Sequence, residues 1–221
     1  MSRSGGQTRM KEKIIKALKW FFRSYIWLFV LLLVIDIVTK QVVMHNMTEG
    51  QSIVLIPKDV LKITLVFNRA AAFGIGFDNP AVNRWLYVGI ASLATICIVQ
   101  YLIRKFKEIP LYVRACLMLV LTGAVGNLID RLFYSASNYY VVDWINFFDN
   151  ALWHWVFNIA DAGVVIGAFM LIGYIIYTEV KEYKAKKSSE PKTEGKVVSK
   201  TEQEKIDYLN EEKEESEKVD N

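Results

Sequence analysis

Residues 25–44 read YIWLFVLLLVIDIVTKQVVM, and only Asp36, Thr39, Lys40 and Gln41 interrupt the apolar run. A hydrocarbon core about 30 Å thick is crossed by about 20 helical residues, so the stretch is long enough to span a membrane. An ionisable side chain near mid-span costs roughly 2.5–3.5 kcal/mol on insertion scales. Asp36 and Lys40 are four residues apart, share a helix face and can pair with each other. That pairing is compatible with a purely structural role and with a site. The length of the run, its internal Asp and Lys, and the lack of a small-residue cleavage site argue against a cleavable signal peptide.

Three further stretches have the same character: 85–103, 111–129 and 156–177. Together they explain why 53% of the chain is apolar although its end is highly charged. Residues 178–221 hold 10 lysines and 13 acidic residues, so the net charge of +4 describes flanks and tail and does not define a nucleic-acid-binding face. Lys and Arg collect in three places: residues 3–23, the turn 104–107, and 181–187. Positively charged loops stay on the cytoplasmic side, which places both termini inside and the Lys- and Arg-free segment after Arg131, up to 155, outside. Cys97 and Cys116 lie within apolar stretches and read as small hydrophobes. His45 and His154 stand apart with no metal-binding spacing, so no metal or other cofactor is implied.

Two outer segments remain. In 50–77, the run Lys62-Ile63-Thr64-Leu65-Val66-Phe67 alternates in part and predicts a small β-structure on the outer membrane face. Residues 132–155 carry nine aromatics, including Tyr140, Trp144, Phe147 and Trp155, which favour the headgroup level and predict a segment lying along the interface. Three domains follow: 1–24, a cytoplasmic basic arm; 25–177, the membrane domain with outer segments 46–80 and 132–155; and 178–221, a charged tail without core-forming residues and expected to be mobile from about Lys181.

Polar residues that are expensive in a bilayer gather at one level. Asn127, Asp130 and Arg131 close the third span at i, i+3 and i+4, and Asn158 and Asp161 open the fourth. Asp161 is expected about five residues into its helix. Asp143 lies in the outer segment between them. Asp130 has Arg131 beside it and Asp36 has Lys40 on its face, whereas Asp143 and Asp161 have no basic neighbour. Two carboxylates brought together in a poorly hydrated site cannot both ionise cheaply, so one keeps its proton. Such a pair suits peptide hydrolysis, the carboxylate activating water and the carboxylic acid donating to the scissile carbonyl. A proton relay or cation site would use the same residues, which keeps a small proton-coupled membrane transporter as the alternative. The inner halves of the spans hold little besides Gln100 and Arg114 to line a polar path. Gly123 and Gly126 allow close helix packing.

Five motifs in order resemble bacterial lipoprotein signal peptidase, the signal peptidase II family: Asp36-Ile37-Val38-Thr39-Lys40, Asn68-Arg69-Ala70-Ala71-Ala72-Phe73-Gly74, Gly126-Asn127-Leu128-Ile129-Asp130-Arg131, Val141-Val142-Asp143-Trp144 and Phe157-Asn158-Ile159-Ala160-Asp161. The resemblance covers about residues 25–177. It implies an all-α membrane protein with four transmembrane helices, a small outer β-cradle and an interfacial loop or helix. It implies an aspartic endopeptidase of the bacterial inner membrane, working as a monomer without cofactor on diacylglyceryl-modified prolipoproteins and inhibited by globomycin. The matching positions make Asp143 and Asp161 the catalytic pair, with Asn127, Arg131, Asn158, Asp130, Asn68, Asp36 and Lys40 in support. The chain departs from the family pattern at Ala70, Trp144 and Ala162, where Gly, Phe and Ser are usual.

Overall fold

The structure, a computed structural model, describes residues 3–58, 60–69, 77–133, 140–148, 155–189, 204–205 and 207–209. In chain order the elements are α1 (Arg3–Ser24), α2 (Ile26–Asn46), β1 (Ser52–Ile56), β2 (Leu61–Asn68), α3 (Pro80–Lys105), α4 (Leu111–Phe133), β3 (Val141–Phe147), β4 (Val156–Phe157) and α5 (Ile159–Ser189). Four of these helices, α2 to α5, are long and apolar enough to cross a membrane. The chain divides into two compact units, Met1–Ile175 and Ile176–Asn221. The second holds the last turns of α5, which run through the lysines to Ser189.

In α2 the apolar side chains Val30, Leu31, Val34, Val38 and Val42 face outward, while Asp36, Lys40 and Val43 are buried. The spacing i, i+4, i+7 puts that polar pair on the inward stripe, the reverse of a water-soluble helix. α4 is the central helix, with 44% of its apolar span buried against 6% for α3. It meets α5 without room for side chains between them. A Cβ at Gly123 would strike Val164 and the Ala160 carbonyl, and one at Gly163 would lie 2.9 Å from the Leu119 carbonyl. In lipid, where apolar burial gives no net drive, small residues let helices gain van der Waals contact by close approach.

The predicted β-structure is a four-stranded antiparallel sheet ordered β1-β2-β3-β4. It is larger than the sequence reading, because β3 and β4 come from the aromatic segment expected to lie along the interface and from the start of the expected fourth span. Alternation in Val141–Phe147 is masked because Val141, Val142 and Asp143 are all buried. Leu65 and Val142 pack with Val43 of α2, which seats the sheet on the end of that helix. Residues 70–74 of the second motif, 134–139 and 149–154 lie outside the described residues.

Candidate active site

Sheet register sets the first carboxylate. β2 and β3 pair with Val66 opposite Asp143 and Asn68 opposite Val141. Asn68 is therefore the same-face diagonal neighbour of Asp143, and its Nδ2 donates to Asp143 Oδ2 at 2.9 Å. Asp143 is 1% exposed.

Helix capping sets the second. Asn158 is the N-cap of α5: its carbonyl accepts the Ala162 N–H at 3.1 Å, and its Oδ1 accepts the Asp161 N–H at 2.9 Å. Asp161 reciprocates, with Oδ2 accepting the Asn158 N–H at 3.2 Å. This is a capping box built from Asn and Asp, and it fixes the Asp161 carboxylate against the helix start. Because Val156 and Phe157 form β4, Asp161 is the third residue of α5 and not about the fifth. The Asn158 side chain also turns to the sheet. Its Nδ2 donates to Asp143 Oδ1 at 2.7 Å, so Asn158 touches both carboxylates. From α4, Asn127 Nδ2 donates to Asp161 Oδ1 at 2.7 Å, and Asn127 Oδ1 lies 3.2 Å from Asn158 Nδ2.

Beneath this pair is a buried ionic platform. Lys40 Nζ lies 2.8 Å from Asp36 Oδ2 and 3.0 Å from Asp130 Oδ2, and it donates to Asn127 Oδ1 at 3.2 Å. Asp36, Lys40 and Asp130 are each no more than 1% exposed. Asp36 Oδ1 accepts the backbone N–H of Ala160 at 2.9 Å, and Asp130 Oδ2 accepts that of Val142 at 3.1 Å. Each platform carboxylate thus holds the residue immediately before Asp161 or Asp143. The expected Asp36–Lys40 pair is present. For Asp130 the charged partner at 3.0 Å is Lys40, whereas sequence adjacency had suggested Arg131. Consecutive helical residues point about 100° apart and do not face each other, which explains the difference. Arg131 donates Nη1 to the Asn127 carbonyl at 3.3 Å and lies over the Tyr87 ring at 5.3 Å. Ala160 and Val142 stand within the quoted motifs but had no role of their own there, since they act through their backbone, and Tyr87 lies in an unremarkable apolar span.

Burial pushes the Asp143 carboxyl up to about 8, and the nearby charge of Asp161 adds to the rise, against the hydrogen bonds from Asn68 and Asn158 and the charge of Lys40. Two carboxyl groups brought together in such a setting cannot both ionise cheaply, and they titrate as a unit. That makes one acid and one base available at the same place.

Membrane-crossing helices with two carboxyl groups held by one asparagine at one end of the bundle define a multi-pass membrane enzyme. The model of one family, described as signal peptidase (SPase) II, matches residues 28–177, and the chain belongs to the signal peptidase II family. It is a membrane peptidase and not a transporter. A lipoprotein signal peptidase from Clostridioides difficile is 36% identical over 157 residues, covering 71% of this chain and 97% of that protein. One from Pseudomonas putida is 35% identical over 175 residues, 76% and 91% of the two chains. Two solved structures of a bacterial membrane enzyme, both obtained by the in meso method, share the fold. They superpose with TM-scores of 0.58 and 0.57 at 29% and 30% identity, over 69% and 68% of this chain and 87% and 90% of theirs.

Proposed function

We propose that the chain is an aspartic endopeptidase that cuts prolipoproteins on the amino side of their diacylglyceryl-modified cysteine, with Asp143 and Asp161 as the catalytic pair. The observation that carries this reading is the shared contact of Asn158 with both carboxylates, on a scaffold of the signal peptidase II family. The ionised member takes a proton from water as the water oxygen attacks the scissile carbonyl carbon. The protonated member gives its proton to the carbonyl oxygen, so the tetrahedral intermediate is a neutral gem-diol. As it collapses and the C–N bond breaks, the newly protonated carboxyl gives its proton to the leaving nitrogen and a gem-diol hydroxyl gives one to the other carboxylate, so the pair ends with the single proton it began with. No covalent enzyme nucleophile is needed. Asn127, Asn158 and Asn68 orient the two carboxyl groups without adding charge, Arg131 stands beside them, and Asp36, Lys40 and Asp130 hold the backbone beneath.

A lipid-anchored cysteine would fix the scissile bond at membrane depth, which supplies orientation that a soluble protease must obtain from side-chain pockets. In this reading the enzyme is a monomer of the bacterial inner membrane. Its termini, with the basic arm 1–24 and the tail 178–221, are cytoplasmic, the pair lies near the outer face, and globomycin binds over the pair. The test uses the purified protein with lipidated and unlipidated prolipoprotein, with and without globomycin, followed by gel shift. Cleavage should be confined to the lipidated form, be blocked by globomycin, and disappear in Asp143→Asn and in Asp161→Asn while both variants still fold. Full turnover by either variant would refute the assignment.

A further inference from the structure

Helix α1 lies ahead of the family match, which begins at residue 28. Most of its side chains from Arg9 onward divide by face. At about 100° per residue, Met10, Ile14, Ile15, Leu18, Phe21 and Phe22 fall within an arc of roughly 140°. Arg9, Lys13, Lys16, Lys19 and Arg23 fall on the opposite side. The six apolar side chains are 37–63% exposed, so no described part of the chain covers that face. Lys11 breaks into the apolar arc between Leu18 and Phe22, where its long side chain can carry the charge outward to water, and Trp20 falls on the basic side between Arg9 and Lys13. Over residues 9–24 there are six basic residues and a single acidic one, Glu12.

The joint between α1 and α2 is built, not slack. Tyr25 sits at φ 59°, in the left-handed region, and breaks the helix direction. Ser24 is fully buried; its hydroxyl donates to the Phe21 carbonyl at 2.7 Å and accepts the Ile26 N–H at 3.2 Å. Arg114 of α4 donates to the Arg23 carbonyl and to the Ile109 carbonyl, each at 3.1 Å. Its guanidinium lies 4.2 Å from the centroid of the Phe106 ring, and Trp20 of α1 packs on the same ring at 5.9 Å. Arg114 precedes Asn127 by 13 residues, which is about 20 Å along α4. The joint is therefore at the end of the bundle away from the carboxylate pair.

We propose that α1 is an interfacial anchor that lies in the headgroup layer at that end, its apolar face in the acyl boundary and its basic face bound to anionic phospholipid headgroups. Two features select lipid over a protein as the occupant. The uncovered face continues directly from a membrane-crossing helix, at the level where that helix leaves the bilayer. The charge beside it is complementary to an anionic lipid surface, and helices of this pattern bind such surfaces through apolar area and basic charge together. Arg114, with Ser24 and Phe106, holds the helix at its angle to the bundle.

The test uses the full chain carrying Cys97→Ser, which removes the exposed native thiol and leaves buried Cys116. Single spin labels are placed on Ile14→Cys, Leu18→Cys, Lys16→Cys or Lys19→Cys. The protein is reconstituted in phosphatidylcholine vesicles with about a third phosphatidylglycerol, and prolipoprotein cleavage by each labelled variant confirms folding. Labels at 14 and 18 should favour collision with oxygen over an aqueous nickel chelate, by about five-fold or more relative to labels at 16 and 19. The contrast should fall at least about two-fold in phosphatidylcholine alone, and equally in mixed vesicles when two of the unlabelled basic residues are made Gln. Nickel reaching both faces alike would place the helix in water. Shielding of 14 and 18 from both reagents would mean a protein partner, such as a second copy. Immersion that is indifferent to phosphatidylglycerol would remove the role of the charges. Each of these outcomes overturns the proposal.

Discussion

Asn158 donates its side-chain amide to Asp143 Oδ1 at 2.7 Å. The same residue begins α5 and exchanges two hydrogen bonds with Asp161. A neutral amide suits this position, because it can donate to one carboxylate and accept from the backbone beside the other without altering the charge that the pair shares. The residue therefore joins the sheet to the helix at the point where their acidic groups meet.

Asn158→Ala should lower prolipoprotein cleavage by about 100-fold or more, the usual scale for a small misplacement of reacting groups. It should also cost about 1–2 kcal/mol of stability through the lost cap. Asn158→Ser separates the two effects. Serine caps a helix about as well as asparagine but is too short to reach Asp143. Thermal unfolding should recover in the Ser variant while turnover stays low. Recovery of both would reduce Asn158 to a cap.

The position of Asp143 gives a pH dependence with a defined sign. Its carboxyl is raised to about 8 in the folded protein, against about 3.9 for an unfolded aspartate. Between those values the native state keeps a proton that the unfolded chain has released, so stability falls as pH rises through the window. Cleavage should also decline as pH passes about 8 and the pair loses its shared proton. Asp143→Asn, inactive but folded, should show a flatter dependence of melting temperature on pH between about 5 and 8. A wild-type melting temperature that rises across that range would contradict the assignment.

Much of this site is visible in the linear chain, for a physical reason. Ionisable residues are so costly in an apolar span that Asp36, Lys40, Asp130 and Asp161 stand out wherever they occur, and helical spacing says which of them share a face. Strand β3 was not visible. Its residues Val141, Val142 and Asp143 are buried by β2, by α2 and by the carboxylate site, so the two-residue alternation of a half-exposed strand is absent. Nor did the sequence distinguish the partner of Asp130, since Lys40 is 90 positions away and reaches it only after α2 and α4 pack. The face of α1 was present in the sequence, but counting its charges as an arm concealed the apolar residues between them.

Lys40 is the sole cation within 3.0 Å of both Asp36 and Asp130 among the described pairs. Lys40→Met keeps most of the volume and removes the charge. Leaving buried carboxylates without their cation costs about 3–5 kcal/mol, which for a chain of this size lowers the melting temperature on the order of 10 °C. Adding Asp36→Asn and Asp130→Asn should restore much of that stability, because amides can still accept the Ala160 and Val142 N–H bonds. Thermal unfolding in detergent of the single and triple variants measures this directly. No loss in Lys40→Met would show that the platform does not depend on its lysine.

Gly126 connects helix packing to that platform. A Cβ there would lie 2.7 Å from Asp36 Oδ2 and 2.9 Å from the Ala160 side chain. Both contacts are closer than van der Waals distance, so Gly126→Ala must displace either the Asp36 carboxylate or the start of α5. Overpacking of this kind costs about 1–3 kcal/mol. The functional loss should be larger than that figure suggests, because the groups displaced are the ones that hold Ala160, and through it Asp161. Gly163→Ala is the control. Its added methyl would meet the Leu119 carbonyl at 2.9 Å, about two turns of α4 below Gly126, with a comparable packing penalty. Gly126→Ala should reduce prolipoprotein turnover by at least about ten-fold more than Gly163→Ala at matched thermal stability, a ratio equivalent to about 1.4 kcal/mol of transition-state stabilisation. Equal turnover in the two variants would mean that α4–α5 contact matters only for folding and that Asp36 does not position the second carboxylate.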